Sequence, residues 1–99
     1  MYDANLADVY QPIYERILAL VAEGVADPGE IATDLTMDGS PIWHYANRTV
    51  KLEPLSGNQV RITNGLSSYR AQQVTLPIEP VGPVVAQIIS FLGAKPEYD

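Results

Sequence analysis

The chain has 99 residues, 46% of them hydrophobic, a formal net charge of −6 and no cysteine. A chain of this length supports one hydrophobic core, so we expect residues 1–99 to form a single domain. The absence of cysteine excludes disulfides and thiolate metal sites. The charged fraction of 18% is low for a globular protein, which favours a surface that is partly covered in an oligomer or a larger assembly. The eight prolines and seven glycines fit a loop-rich monomer equally well.

The charges are sorted along the sequence. Residues 1–39 contain eight acids and one base, whereas residues 40–78 contain four bases and one acid. Opposed potentials steer and align protein contacts. The pattern therefore predicts two surfaces with different partners, or two copies that meet acidic face to basic face.

The N-terminal third predicts a helix with one buried face. Apolar residues within 6–21 recur at steps of three and four, which is the spacing of such a helix. Proline is tolerated in a first helical turn, so the regular part should cover about residues 12–23, with residues 3–11 as a separate turn. Gly24 is then expected to end the helix in the left-handed conformation.

A short second helix is predicted directly afterwards. Asp27, Pro28 and Glu30 stand at the N-cap, first and third positions of a capping box, which gives partners to the free amides of a helix start. This helix would bury Ile31 and Leu35. Turn-forming residues then end the helical part of the chain.

A small antiparallel sheet is predicted in the following segment. Two runs rich in β-branched residues, 49–52 and 60–63, suit a hairpin with a longer loop. Asn64-Gly65 is a strong turn signal, and residues 69–78 alternate as a half-exposed third strand should. The apolar side of that strand consists of Val74, Leu76 and Ile78.

A last helix is predicted near the C-terminus, where Pro83 is placed to begin it and Gly93 to end it. Its apolar residues are Val84, Val85, Ile88, Ile89 and Leu92. The predicted fold is therefore α+β: an N-terminal helix, a short second helix, a small antiparallel three-stranded sheet and a C-terminal helix. Within the single domain, residues 1–39 form the acidic helical part, 40–79 the mainly β part, and 80–99 the last helix and tail.

No catalytic constellation is recognisable in the sequence. His44 is the only histidine and its neighbours Trp43 and Tyr45 are aromatic, whereas a metal site needs further imidazoles or carboxylates. The glycines are not spaced as in phosphate-binding loops, and residues 65–68 lack the second glycine of a nucleophile elbow. We therefore predict a protein that is not an enzyme and has no catalytic, cofactor-binding or metal-binding residues.

Two groups of residues are candidates for partner contact. The first joins aromatic residues, which are enriched at interface hot spots, with the bases of the middle segment: Trp43, Tyr45, Arg48, Lys51, Arg61 and Arg70. The second is an acidic patch: Glu23, Asp27, Glu30, Asp34 and Asp38. For the two aromatic residues a place in the core is the alternative, and for the acids it is the solvated side of the helices.

Residues 28–35, Pro-Gly-Glu-Ile-Ala-Thr-Asp-Leu, resemble the second helix of winged helix-turn-helix proteins, and they follow a helix that contains residues 17–21. In this resemblance Ser40 caps a third helix that Pro41 opens, and residues 59–74 form the wing. The third helix would carry Trp43, His44, Asn47, Arg48 and Lys51. The resemblance implies binding to duplex DNA.

The function expected from these features is a non-enzymatic protein-interaction or structural assembly module, such as a small subunit of a phage virion or connector. The alternatives are a winged helix-turn-helix DNA-binding protein and a small acidic inhibitor of a nucleic-acid-handling protein. We expect protein partners, in a homo-oligomer or larger assembly, with nucleic acid as the alternative partner and no membrane. The acidic N-terminus and the lack of an apolar run of roughly 20 residues predict an intracellular or virion location without secretion.

Overall fold

The computed structural model describes residues 4–36, 39–65 and 72–94, and it describes their side chains except those of residues 4–9. Within these residues the chain forms two α-helices, one 3₁₀ turn and five β-strands. In chain order they are α1 (Ala4–Glu23), the 3₁₀ turn (Pro28–Glu30), β1 (Ala32–Leu35), β2 (Pro41–Tyr45), β3 (Arg48–Leu55), β4 (Gln59–Asn64), β5 (Gln72–Pro77) and α2 (Val81–Leu92).

The strands form one antiparallel sheet in which each strand lies beside the next one along the chain, in the order β1-β2-β3-β4-β5. The predicted three-stranded sheet is therefore wrong. The described chain combines a five-stranded sheet with two α-helices. β3, β4 and β5 correspond to the predicted strands, whereas β1 and β2 occupy segments for which no strand was predicted.

The predicted second helix is wrong, because its residues form one 3₁₀ turn followed by strand β1. Asp27 makes no side-chain capping bond, and the turn closes through backbone bonds from Glu30 N–H to the Asp27 carbonyl and from Ile31 N–H to the Pro28 carbonyl. Ile31 is then extended, with φ −96° and ψ 119°. Ile31 and Leu35 are four residues apart, a spacing that shares one face in a strand as well as in a helix. The strand is favoured because pairing with β2 satisfies the backbone.

The third helix that the winged helix-turn-helix resemblance requires is also absent from the described residues. Residues 41–52 lie in β2 and β3, which pair with each other. β-Branched and aromatic residues such as Ile42, Trp43 and Tyr45 favour extended backbone. Pro41 opens a strand, where proline is tolerated at the first position. Without these two helices the described part of the chain contains no helix-turn-helix.

Both helices pack on one face of the sheet, and the side chains between them form a single buried cluster. The sheet contributes Trp43, Val50, Leu52, Val60 and Ile62, α1 contributes Tyr10, Tyr14, Ile17 and Val21, and α2 contributes Val84, Ile88 and Leu92 with their neighbours. Burial of a large apolar side chain is worth about 1.5–3 kcal/mol. This packing is therefore the main source of stability.

Helix α1 begins at Ala4, before the predicted start at Pro12, and Pro12 lies inside it. Proline there costs a backbone hydrogen bond. The turn preceding the proline is nevertheless held in place by Tyr10, which is buried. The ring centroid of Tyr10 lies 6.0 Å from that of Tyr14 in an edge-on contact. The Tyr10 hydroxyl donates to the Leu55 carbonyl at 3.2 Å. Tertiary packing of this kind outweighs the local cost.

The predicted C-terminal ends of α1 and α2 are confirmed, but only one for the expected reason, and α2 begins at Val81 instead of at the predicted Pro83. Gly93 ends α2 in the left-handed conformation, with φ 70°. Gly24 follows the end of α1 without a positive φ, so its predicted left-handed conformation is wrong. A Cβ on Gly24 would lie 2.9 Å from Cδ1 of Ile89. A larger residue at this position would have to displace the end of the Ile89 side chain, because α1 and α2 approach each other closely.

The turn between β2 and β3 generates a stability prediction. Ala46 has a φ of 53°, a left-handed conformation that costs a non-glycine residue about 1 kcal/mol. We expect Ala46→Gly to raise the free energy of unfolding by about 0.5–1 kcal/mol, measured by urea denaturation. Ala32→Gly in β1, where φ is not positive, is the control and should lower it. A destabilised Ala46→Gly protein would contradict this turn geometry.

Candidate interaction surfaces

The face of the sheet opposite the helices is here called the outer face, and no described helix covers it. Its residues alternate with the core residues along β2, β3 and β4, and most are polar and half-buried by their neighbours. They are Ile42, His44, Thr49, Lys51, Glu53, Arg61 and Thr63.

One carboxylate on the outer face, that of Glu53, forms ion pairs with two basic side chains. Glu53 lies opposite Arg61 in the β3–β4 register. Its oxygens lie 3.6 Å from Lys51 Nζ and 3.4 Å from Arg61 Nη2. Such partly exposed pairs contribute little stability. They do, however, offset the positive charge that binding to a phosphate backbone would require.

His44 lies on the same face without a metal-binding environment. Its Nδ1 is 3.2 Å from Thr49 Oγ1. In the described part of the chain, no three His, Asp or Glu side chains group closely enough to hold a metal ion.

The predicted contact residues do not form one surface. Trp43 is 1% exposed and belongs to the core, and Tyr45 packs against that core from a half-buried position. Lys51 and Arg61 lie on the outer face with Glu53. Arg70 lies outside the described residues.

Arg48, the remaining predicted contact, lies on the helix side of the sheet. Its Nη1 donates to the carbonyl of Phe91 at 3.3 Å, and its side chain passes beside Gly93, where a Cβ would lie 3.5 Å from Nε. The last carbonyls of a helix lack partners within the helix, and they form the negative end of its dipole. Arg48 therefore caps the C-terminus of α2.

The predicted acidic patch is spread over three elements instead of one side of two helices. Glu23 ends α1, Asp27 and Glu30 belong to the 3₁₀ turn and its flank, and Asp34 lies on β1. All four residues are exposed. Asp38 lies outside the described residues.

A cleft of about 350 Å³ opens between α1 and the edge strand β1. Leu18, Ala19 and Ala22 line it from the helix, Ile31 and Thr33 from the other wall, and Trp43 from the sheet. The sequence did not predict this cleft, because the residues of its Ile31 wall were expected to be helical. The alternation of Ile31, Thr33 and Leu35 was the available signal for a strand.

Alternate residues of strand β1 form the backbone hydrogen bonds to β2. Thr36 N–H donates to the Ser40 carbonyl at 2.8 Å, in the same register that places Asp34 opposite Ile42. Hydrogen-bonded pairs alternate along antiparallel strands. The backbone groups of Asp34 therefore face β2, and those of its neighbours in β1 point away from the sheet.

The outward side of β1 is largely capped. Ile31 N–H bonds to Pro28, and Leu35 N–H bonds to the Asp34 carboxylate at 2.8 Å. Thr33 N–H has no partner among the residues described. Natural proteins commonly block edge strands in such ways, because a free edge is a template for pairing with another chain. Leu35 at this edge is still 60% exposed.

Strand β5 is the opposite edge and is less protected. Ile78 N–H donates to the Asn58 carbonyl at 2.9 Å, one position beyond the paired residues Gln59 and Pro77. Because hydrogen-bonded pairs alternate along antiparallel strands, this bond identifies which residues of β5 bond to β4. The backbone groups of Gln73 and Thr75 consequently point away from β4, where no hydrogen bond to a described residue engages them. Pro77 also points outward but has no N–H. The strand contains no charged residue.

The solvent side of α2 is uncharged as well. A shallow hollow of about 440 Å³ lies there, lined by Ala86, Ile89, Ser90, Gly93 and Ala94. The opposite side of α2 is buried in the protein's own core. The C-terminal helix is therefore packed within its own domain.

Comparison with family models, curated proteins and solved structures finds no significant match to the chain. Similarity therefore assigns neither a family nor a function. No helix within the described ranges is long enough and apolar enough to cross a membrane.

The position of Arg48 yields a second prediction. We expect Arg48→Met to lower the free energy of unfolding by about 0.5–1 kcal/mol, because the Phe91 carbonyl loses a charged donor. Lys51→Met is the matched control on the outer face and should change it by less than about 0.5 kcal/mol. Urea denaturation of both variants measures the difference. Equal losses would show that Arg48 does not stabilise α2 specifically.

Proposed function

We propose that the protein is a non-enzymatic assembly module that joins copies of itself through the free edge of β5. The observation that carries this proposal is the set of outward backbone groups at Gln73 and Thr75, which no described residue engages. An exposed edge of this kind is a template for a further strand. The contrast with the largely capped edge of β1 supports β5 as the edge that is used for self-association.

The geometry of β5 suits a two-fold symmetric pair. When two β5 strands run antiparallel with Gln73 of one copy opposite Thr75 of the other, the outward backbone groups of both residues find partners in both copies. Val74 then lies on the two-fold axis, beside the same residue of the second copy. Two five-stranded sheets join into one continuous sheet.

Charge and burial support the same edge. The chain carries a net charge of −6, which makes two copies repel each other, but β5 itself is uncharged. Val74 and Leu76 are half-buried on the helix side of β5. Pairing removes part of their remaining exposed surface from water, which favours association.

The two alternative functions differ in their support. A helix-turn-helix DNA reader inserts a helix into the major groove, and the described fold has strands where that helix is required. A protein that captures a basic partner finds support in the exposed acids around β1. This second candidate function is compatible with self-assembly because it uses the other edge of the sheet.

We expect Thr75→Pro to convert a dimer into a monomer. Proline removes an outward N–H and places a ring where the second strand must lie, but it removes no bond between β4 and β5. Size-exclusion chromatography with light scattering measures the mass. The dimer of the unaltered protein should persist at high salt, because no charge lies on this edge.

Thr33→Pro, the equivalent change at the outward edge of β1, is the matched control and should remain dimeric. Circular dichroism and urea denaturation of both variants verify that they are folded. An unaltered protein that is monomeric at both low and high salt would refute the proposal. A Thr33→Pro protein that dissociates while Thr75→Pro does not would show that the wrong edge has been assigned.

A further inference from the structure

We infer that the cleft between α1 and β1 binds an extended segment of a different protein, in which apolar residues alternate with lysine or arginine. The segment adds as a strand beside β1 and places its apolar side chains in the cleft. This site goes beyond self-assembly, because it uses the other edge of the sheet and a partner of different chemistry.

The walls of the cleft fit a strand with alternating side chains. Leu18 and Ala22 are one helical turn apart on α1 and face the cleft, and Ile31 and Thr33 line the opposite wall. A strand added beside β1 points every second side chain toward the helix side of the sheet. An extended peptide bound to a sheet edge gains affinity from its backbone and specificity from pockets for alternate side chains.

The backbone of β1 offers a short but usable edge. Thr33 presents an outward N–H without a partner among the described residues, and its carbonyl points the same way. The Leu35 carbonyl points outward as a second acceptor, while the Asp34 carboxylate holds the Leu35 N–H. An incoming strand therefore bonds chiefly at Thr33, beside the cleft.

The charges around the cleft select a basic segment. Exposed acids lie near both walls: Glu15 lies one helical turn before Ala19 on α1, and Asp27 and Glu30 lie at the 3₁₀ turn before Ile31. Asp34 is also exposed, on the edge strand, where the register places its side chain on the outer face. Residues 1–47 contain one base, Arg16, which lies one turn before Leu20 on the other flank of α1. Complementary charge steers a basic partner to the cleft and rejects an acidic one.

The same charges argue against a second copy as the occupant. Antiparallel pairing of two β1 strands brings the Asp34 carboxylates of both copies close together at a shared edge, and like charges on facing strands are destabilising. The whole chain is acidic, with a net charge of −6. A basic segment from another protein is the occupant that the charges favour.

The test uses three short synthetic peptides and the intact protein. In the first, valine and lysine alternate; in the second, glutamate replaces lysine; in the third, serine replaces valine. Trp43 is the only tryptophan and lines the cleft, so its fluorescence reports occupation, and calorimetry gives the affinity. We expect the valine–lysine peptide to bind, with an affinity that falls as the salt concentration rises. The other two peptides should bind at least about tenfold more weakly.

Three variants locate the bound peptide. Thr33→Pro removes the free edge N–H, and Ala22→Phe fills the cleft from an exposed position; each should lower the affinity about tenfold. Thr75→Pro, at the other edge, should bind the peptide as the unaltered protein does. This result distinguishes peptide binding in the cleft from dimerisation through β5, because peptide binding is then measured on a monomeric Thr75→Pro protein.

Two results would overturn the proposal outright: no binding of the valine–lysine peptide, or equal binding of the serine–lysine peptide, which would reduce the site to an unspecific acidic surface. Unchanged affinity in both Thr33→Pro and Ala22→Phe would also overturn it, because the peptide would then bind elsewhere. Ala22→Phe alone keeps the test valid if proline unfolds β1.

Discussion

The burial of one sheet face beneath two helices is the constraint on which the rest of this structure depends. Leu52 and Ile62 lie opposite each other on β3 and β4 and are both fully buried. A shift of either strand by one residue would move its apolar side chains to the outer face and bring polar ones into the core. The core therefore fixes the strand register throughout the sheet.

Register in turn decides what the two edges present to a partner. Because hydrogen-bonded pairs alternate along antiparallel strands, the same register that buries Ile62 directs the backbone groups of Gln73 and Thr75 outward. At the other end of the sheet it directs those of Thr33 outward. Val74 and Leu76 on β5, and Ile31 just before β1, pack against the core but are only half-buried. Both candidate binding edges thus follow from core packing, although Thr33, Gln73 and Thr75, whose backbone groups point outward, are themselves exposed.

The sequence predicted the elements whose local signals have one interpretation. β-Branched runs and the Asn64-Gly65 turn identify the central strands, and Gly93 identifies the end of α2. β1 and β2 were missed because their signals are ambiguous: Ile31 and Leu35 share a face in either structure, and Pro41 suits the start of a strand as well as of a helix. The cleft and the free edges were not predictable, because they depend on strand order and register between distant residues.

The charge pattern of the sequence also acquires a different meaning in the fold. Asp27, Glu30 and Asp34 lie on β1 or shortly before it in the chain, whereas Arg48 caps a helix and Lys51 and Arg61 share Glu53 on the outer face. Charge therefore distinguishes the two edges of the sheet, because β1 carries Asp34 and β5 contains no charged residue. Pairing of β5 with β1 of the next copy would leave a free edge at each end and continue into a filament. The caps at Ile31 and Leu35 and the carboxylate of Asp34 oppose that pairing. The proposed self-association through β5 is therefore expected to close at two copies and to leave the β1 cleft accessible to the proposed basic partner.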